Sequence, residues 1–173
     1  IVSNANGTEL DHQQNLVPLE FQTSQIDVLK ESIELAKMDP KRIGIAPWIK
    51  PYTEKCDDEF IRVFEENIQY IKAIKLHSYH SNIAITDEVM KPYIDLARKH
   101  HLPFVIHTGG CEKARCIHVK DAALKYPDIN FVMVHLDLGS DHQEALEVLG
   151  MADNLYGDTT WVPLETTLEV IKR

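Results

Sequence analysis

Short apolar runs, β-branched or aromatic in character, alternate along this chain with segments of helical spacing, and this alternation restricts the fold most. The runs are Ile1, Val2 and Ser3, then residues 43–49, 73–77, 103–107, 130–135 and 155–158. Helical spacing begins near Ser24, with Ile26, Leu29, Ile33 and Ala36 on one face, and stops at Asp39 and Pro40. Asp57 can cap a second helix carrying Phe60, Val63, Phe64 and Ile68. Further helices are expected over residues 86–101, with Pro92 marking the start of the regular part, and over 114–126, 142–151 and 163–173. Residues 4–23 form a polar stretch, long for an ordinary βα connection and so a candidate functional loop.

Six strands alternating with six helices define a parallel α/β arrangement with right-handed crossovers. An open doubly wound sheet and a (β/α)8 TIM barrel both fit. No Gly-x-Gly-x-x-Gly turn follows any strand, and polar groups recur at the C-terminal strand ends, where barrel enzymes place their chemistry. Both points favour the barrel. A complete barrel needs roughly 250 residues. The 173 residues are therefore expected to form one domain of about six βα units, with the first and last strands missing. An excess of 27 Asp and Glu over 18 Lys and Arg, with no basic stripe, argues against nucleic acid or an anionic membrane surface as partner. No apolar stretch reaches the ~18 residues of a membrane span. Three cysteines (Cys56, Cys111 and Cys116) do not make a disulfide framework. A cytoplasmic location is the expectation.

Two histidines end buried-strand runs in matching settings. His107 closes Pro103-Phe-Val-Ile-His107 and His135 closes Asn130-Phe-Val-Met-Val-His135. Neutral imidazole is a common ligand of zinc and related ions, so the pair points to a shared divalent metal, with at least one further ligand from elsewhere. Strand alternation puts Lys75 with His77, Val105 with His107, and Phe131 and Met133 with His135. If each set faces the barrel interior, Lys75, His77, His107 and His135 converge on one mouth. Lys75, between Ile74 and Leu76, is costly to bury unless paired or deprotonated. It can orient an anionic substrate, pair with a carboxylate, bridge two metals once carbamylated, or extend its ammonium to the strand end. His77 and Tyr79 are candidate substrate contacts, whereas His80 reads as a loop residue. Asp158 is a candidate for hydrogen bonding to substrate or to a ligand histidine, or simply a turn residue. Cys111, Cys116 and His118 are too loosely spaced for a zinc site, and His100 and His101 read as a helix end.

The order of Ala73-Ile-Lys-Leu-His77, Val105-Ile-His-Thr-Gly109, Tyr126-Pro-Asp-Ile-Asn-Phe-Val-Met-Val-His135 and Asn154-Leu-Tyr-Gly-Asp158 resembles the amidohydrolase-related family. These are metal-dependent barrel hydrolases and decarboxylases. The resemblance spans nearly the whole chain. It implies a metal ligand at His107, and at His135 either a second ligand or a base for the hydrolytic water. It also implies a His-x-His pair before Ile1 and a metal-binding aspartate after Arg173.

The expected activity is that of a metal-dependent hydrolase, with zinc the foremost ion, attacking an ester, lactone or amide carbon. Catalysis is assigned to His135 and Lys75, and substrate contacts to His77, Tyr79 and Asp158. The alternative on the same scaffold is a non-oxidative decarboxylase. A rival of another class is a catalytically inactive binding or scaffold barrel. The expected partner is a small molecule bearing a carboxylate, and a homodimer is the default assembly.

Overall fold

In the computed structural model, residues 1–172 are described; Arg173, the expected end of the last helix, lies outside the described residues. Four strands, β1 (Ile74–Leu76), β2 (Phe104–His107), β3 (Phe131–Val134) and β4 (Leu155–Asp158), form one parallel sheet in sequence order. Register is direct: Lys75 lies opposite Val105, which lies opposite Val132, which lies opposite Tyr156. Helices α1 (Gln25–Met38), α2 (Asp58–Glu66), α3 (Ser78–Ser81), α4 (Lys91–His100), α5 (Cys116–Lys125), α6 (Gln143–Val148) and α7 (Leu164–Lys172) are interspersed with the strands. The result is a partial (β/α) barrel.

The first two expected strands appear as isolated bridges. Val2 pairs in parallel with Ile45, Ile45 with Ile71, and Trp48 with Lys75, so the barrel wall continues beyond β1 in the expected order. Regular strand is interrupted because Pro47 has no N–H to give the ladder, although its carbonyl accepts from the Lys75 N–H at 2.9 Å.

Helix starts follow the sequence signals. Ser24 Oγ accepts from the Asp27 N–H at 3.1 Å and donates to the Asp27 carboxylate at 2.7 Å, and Asp57 Oδ1 accepts from the Phe60 N–H at 2.8 Å. Replacing Ser24 with alanine is expected to cost about 1 kcal/mol. A lower urea midpoint at unchanged slope would show it, and an unchanged midpoint would remove the cap from the list of stabilising contacts.

One face of the sheet is packed dry. Ile74, Leu76, Phe104, Ile106, Phe131, Met133 and Leu155 are all buried in the core with side chains from α1, α2, α4, α5 and α6. Phe104 and Phe131 stack with centroids 5.9 Å apart. The opposite face carries Lys75, Val105, Val132 and Tyr156, the last of them exposed. This corrects the expected grouping in the strand before His135. Phe131 and Met133 belong to the helix-packed core, and Val132 and Val134 share the face of Lys75 and His107. Among the described residues no helix is long and apolar enough to cross a membrane.

Candidate active site

The C-terminal ends of β1 and β2 and the segments just beyond β3 and β4 open into one cleft of about 430 Å³. Lys75, His77, His107, His135 and Tyr79 all line it. Five rings run across its floor in an unbroken series. Trp48 stacks on His77 at 4.8 Å, His77 on His107 at 3.9 Å, His107 meets the edge of His135 at 5.3 Å, and His135 stacks on Trp161 at 5.0 Å.

His135 reaches the mouth by an unexpected route. The ladder ends at Val134, and simple alternation would send the next side chain toward the helices. Instead His135, Leu136 and Asp137 have φ of 70°, 47° and 72°. Three consecutive left-handed L-residues cost on the order of 1–2 kcal/mol each, so the conformation must be held from outside. The His135 Nδ1–H donates to the Thr160 carbonyl at 2.9 Å, which fixes the tautomer and leaves Nε2 as the free lone pair. Leu136 is fully buried, with its side chain against Gly157.

Burial dominates the electrostatics. It pushes the His107 imidazolium down to about 3, and the neighbouring Lys75 charge adds to the effect. His77 is driven far below its usual range by burial and then by His107. Its Nδ1 accepts from the His80 N–H at 3.4 Å, so the ring caps α3. Both imidazoles are neutral at physiological pH, the form that binds a cation. Lys75, only 8 % exposed, is lowered to about 8 by burial, partly opposed by the Asp158 carboxylate. No side-chain or carbonyl partner receives its ammonium among the described residues. Asp158 itself ends β4 and accepts from the Thr160 N–H at 3.0 Å, a turn contact that leaves it beside the cleft.

Several residues of the site were not singled out for it in the sequence. Trp48 pairs with Lys75 at the neighbouring strand position, so the strand-end rule that found His107 also applies to it. His80, expected in a loop, lies in the four-residue helix α3 and donates from Nδ1 to the Leu10 carbonyl. The polar stretch is folded down onto this helix. Gln14 Nε2 donates to the Tyr79 carbonyl at 2.9 Å, Tyr79 Oη donates to the His12 carbonyl at 2.9 Å, and His12 joins the cleft wall. Cys111, Cys116 and His118 lie outside the cleft, and His118 Nε2 is 3.1 Å from the Glu112 carbonyl. His100 pairs with Glu65 at 3.1 Å at the end of α4.

The donor chemistry fits a divalent ion at two positions, His107 and His135 Nε2. Among the described residues no cluster of three or more ligating side chains forms a complete cation site.

A parallel β/α wall with its polar cleft at the C-terminal strand ends defines a barrel protein of the (β/α)8 type. The sequence matches the amidohydrolase family over residues 21–171, and the chain belongs to that family. No curated protein matches it. Among solved structures it is similar to 2,6-dihydroxybenzoate decarboxylase from Rhizobium, at TM-score 0.62 and 12% identity, covering 97% of this chain and 66% of that one. It is also similar to dihydroorotase from Campylobacter jejuni, at TM-score 0.51 and 19% identity over 83% and 44% of the two chains. A third similar structure is 5-carboxyvanillate decarboxylase from Novosphingobium aromaticivorans with bound manganese, at TM-score 0.59, 11% identity, and 97% and 68% coverage. The chain thus spans about half to two thirds of the length of the structures it resembles.

Proposed function

We propose that the cleft is the active site of a metal-dependent hydrolase acting on a small carboxylate-bearing ester, lactone or amide. The observation that carries this reading is the convergence in a single cleft of the imidazoles of His107 and His135, the first kept neutral by burial, with the buried side chain of Lys75, whose ammonium has no hydrogen-bond partner among the described residues. Members of the amidohydrolase superfamily use divalent metals, and one structural neighbour holds manganese. His107 and His135 would hold the ion. When bound, such an ion polarises a carbonyl oxygen and acidifies water, at neutral pH, for attack on the carbonyl carbon. Zinc suits imidazole ligands and is the ion proposed.

The chain's own residues then divide the remaining work. The Lys75 ammonium pairs with a substrate carboxylate and recovers part of its desolvation cost. His77, Tyr79 and Trp48 flank the substrate and exclude water. His135 Nε2 is the free lone pair at the mouth, available either to the ion or to a proton of the attacking water. Asp158 favours the charged form of Lys75 against the effect of burial.

The alternative is non-oxidative decarboxylation, in which a carbon–carbon bond breaks, carbon dioxide leaves, and the electron pair on carbon takes a proton. Decarboxylases among the structural neighbours favour it. Lys75 favours hydrolysis, because an ion-paired carboxylate is stabilised in the charged form that must be lost as carbon dioxide departs. Paired assays of zinc- or manganese-loaded protein separate the two, by acid release from a panel of lactones, esters and amides and by carbon dioxide release from hydroxylated aryl carboxylates. Hydrolysis lost in Lys75→Met is the expected outcome. Carbon dioxide release alone would transfer the assignment to decarboxylation, and neither activity, with no ion bound, would favour a binding barrel.

A further inference from the structure

We propose that Thr108 is a positioning residue that sets His135 against His107 by bridging the chain segments after β2 and β3. The assignment deepens the reading of the two histidines as the functional pair and rests on it. Thr108 directly follows His107 and is fully buried. Four hydrogen bonds tie it to the segment on either side of His135. Its N–H donates to the Val134 carbonyl at 3.1 Å, and its carbonyl accepts from the Leu138 N–H at 3.0 Å. Its Oγ1 donates to the same Val134 carbonyl at 2.8 Å and accepts from the Asp137 N–H at 2.9 Å.

The two hydroxyl bonds grip the Val134 carbonyl, just before the left-handed run, and the N–H of Asp137, the last residue of that run. The bond from the Thr108 N–H to the Val134 carbonyl continues the ladder past the His107–Val134 pair, as any residue but proline would. The hydroxyl bridge is no part of the ladder. It satisfies the Asp137 N–H, which a left-handed backbone turns away from the ladder, and so removes one cost of the strained conformation. His142 adds a second strut, since its Nδ1 donates to the Leu136 carbonyl from a buried position. Only the Thr108 bridge, however, is joined covalently to His107. A shift of that hydroxyl therefore moves the two imidazoles relative to each other.

The test compares Thr108→Val, which keeps the shape and removes the hydroxyl, with Thr108→Ser, which keeps the hydroxyl and removes the methyl. Two readouts are needed. The first is the ¹⁵N spectrum of the histidine rings in metal-free protein, where His135 in the wild type shows the single Nδ1–H tautomer. The second is zinc affinity by competition with a chromophoric chelator. In Thr108→Val the His135 ring signals are expected to shift or split while the far-ultraviolet circular dichroism is retained. Zinc affinity is expected to fall by about 10- to 100-fold, the effect typical of removing an outer-shell hydrogen bond. Thr108→Ser is expected to restore both. If the valine variant does not fold, Thr108→Ala, which removes the hydroxyl without adding bulk, carries the comparison. A folded valine or alanine variant with wild-type His135 signals overturns the proposal, as does a serine variant that fails to restore them. Wild-type protein that binds no zinc but shows the expected ring signals and their loss in Thr108→Val would overturn the metal reading and leave the positioning role standing.

Discussion

Replacing Lys75 with methionine is expected to stabilise the protein at pH 7 by roughly 2–3 kcal/mol. Burial lowers the ammonium from its ordinary 10.5 to about 8, so the folded state binds its proton less tightly than the unfolded chain does. Below pH 8 both states hold the proton, and the folded state carries the whole cost of a buried charge. As pH rises from 8 toward 10.5 the folded state releases the proton first, the unfolded state binds more protons, and stability rises with pH. Above 10.5 both forms are neutral and the cost is gone. Methionine fills similar space without charge and has no such cost at any pH. Urea unfolding of both proteins at intervals from pH 7 to 11 gives the difference directly, with the shared titrations of other groups cancelling. The gap is expected to be widest at pH 7 and to close above about pH 10. A gap independent of pH would mean that the ammonium is solvated or paired. The same variant should lose any affinity for a carboxylate ligand, so the gain in stability and the loss of function would share one cause.

The second large effect is expected at Gly109, where alanine should cost roughly 3 kcal/mol and lower the melting temperature by roughly 10 °C. Gly109 has φ of +104°, outside the range of L-residues. A Cβ there would lie 2.3 Å from the Leu138 nitrogen and 2.4 Å from its carbonyl oxygen. Both are backbone atoms of the segment after His135, so neither can rotate aside. The two strand-end segments would have to part, and the Thr108 bridge with them. Stability and zinc affinity should therefore fall together, unlike the Lys75→Met result. An alanine variant with wild-type melting behaviour would contradict this close backbone approach.

Much of the frame was legible because local chemistry and tertiary position agree. The Phe104–His107 strand is an uninterrupted apolar run between helical segments, and it is buried as such a run should be. Asp57 caps the helix it was expected to cap, and the helix expected to begin near Ser24 starts there, with Ser24 as its cap. The convergence of Lys75, His77, His107 and His135 was also legible, but for His135 the stated route was wrong. Alternation was counted through His135 as though the strand continued, whereas the ladder stops one residue earlier and a left-handed run turns the ring back to the mouth. His135 and Asp137 are residue types that tolerate a single left-handed position, but a run of three through Leu136 has no local signal, and the constraint comes from Thr108, 29 residues before Asp137. The helix at Ser78–Ser81 is too short for a periodicity to register, and its cap is a histidine side chain, outside the usual capping residues. The interrupted pairing around Ile45 and Trp48 follows from Pro47, whose missing N–H breaks the ladder although the apolar run around it reads as continuous strand.

The most direct test of a divalent-ion centre on His107 and His135 is the metal content of the purified protein by elemental analysis. The protein is analysed as isolated and again after incubation with zinc or manganese and exhaustive dialysis, beside His107→Ala treated identically. At least one equivalent of a divalent ion in the wild type, and its loss in the variant, is the expected result. No retained ion in either protein, or equal retention in both, would contradict it.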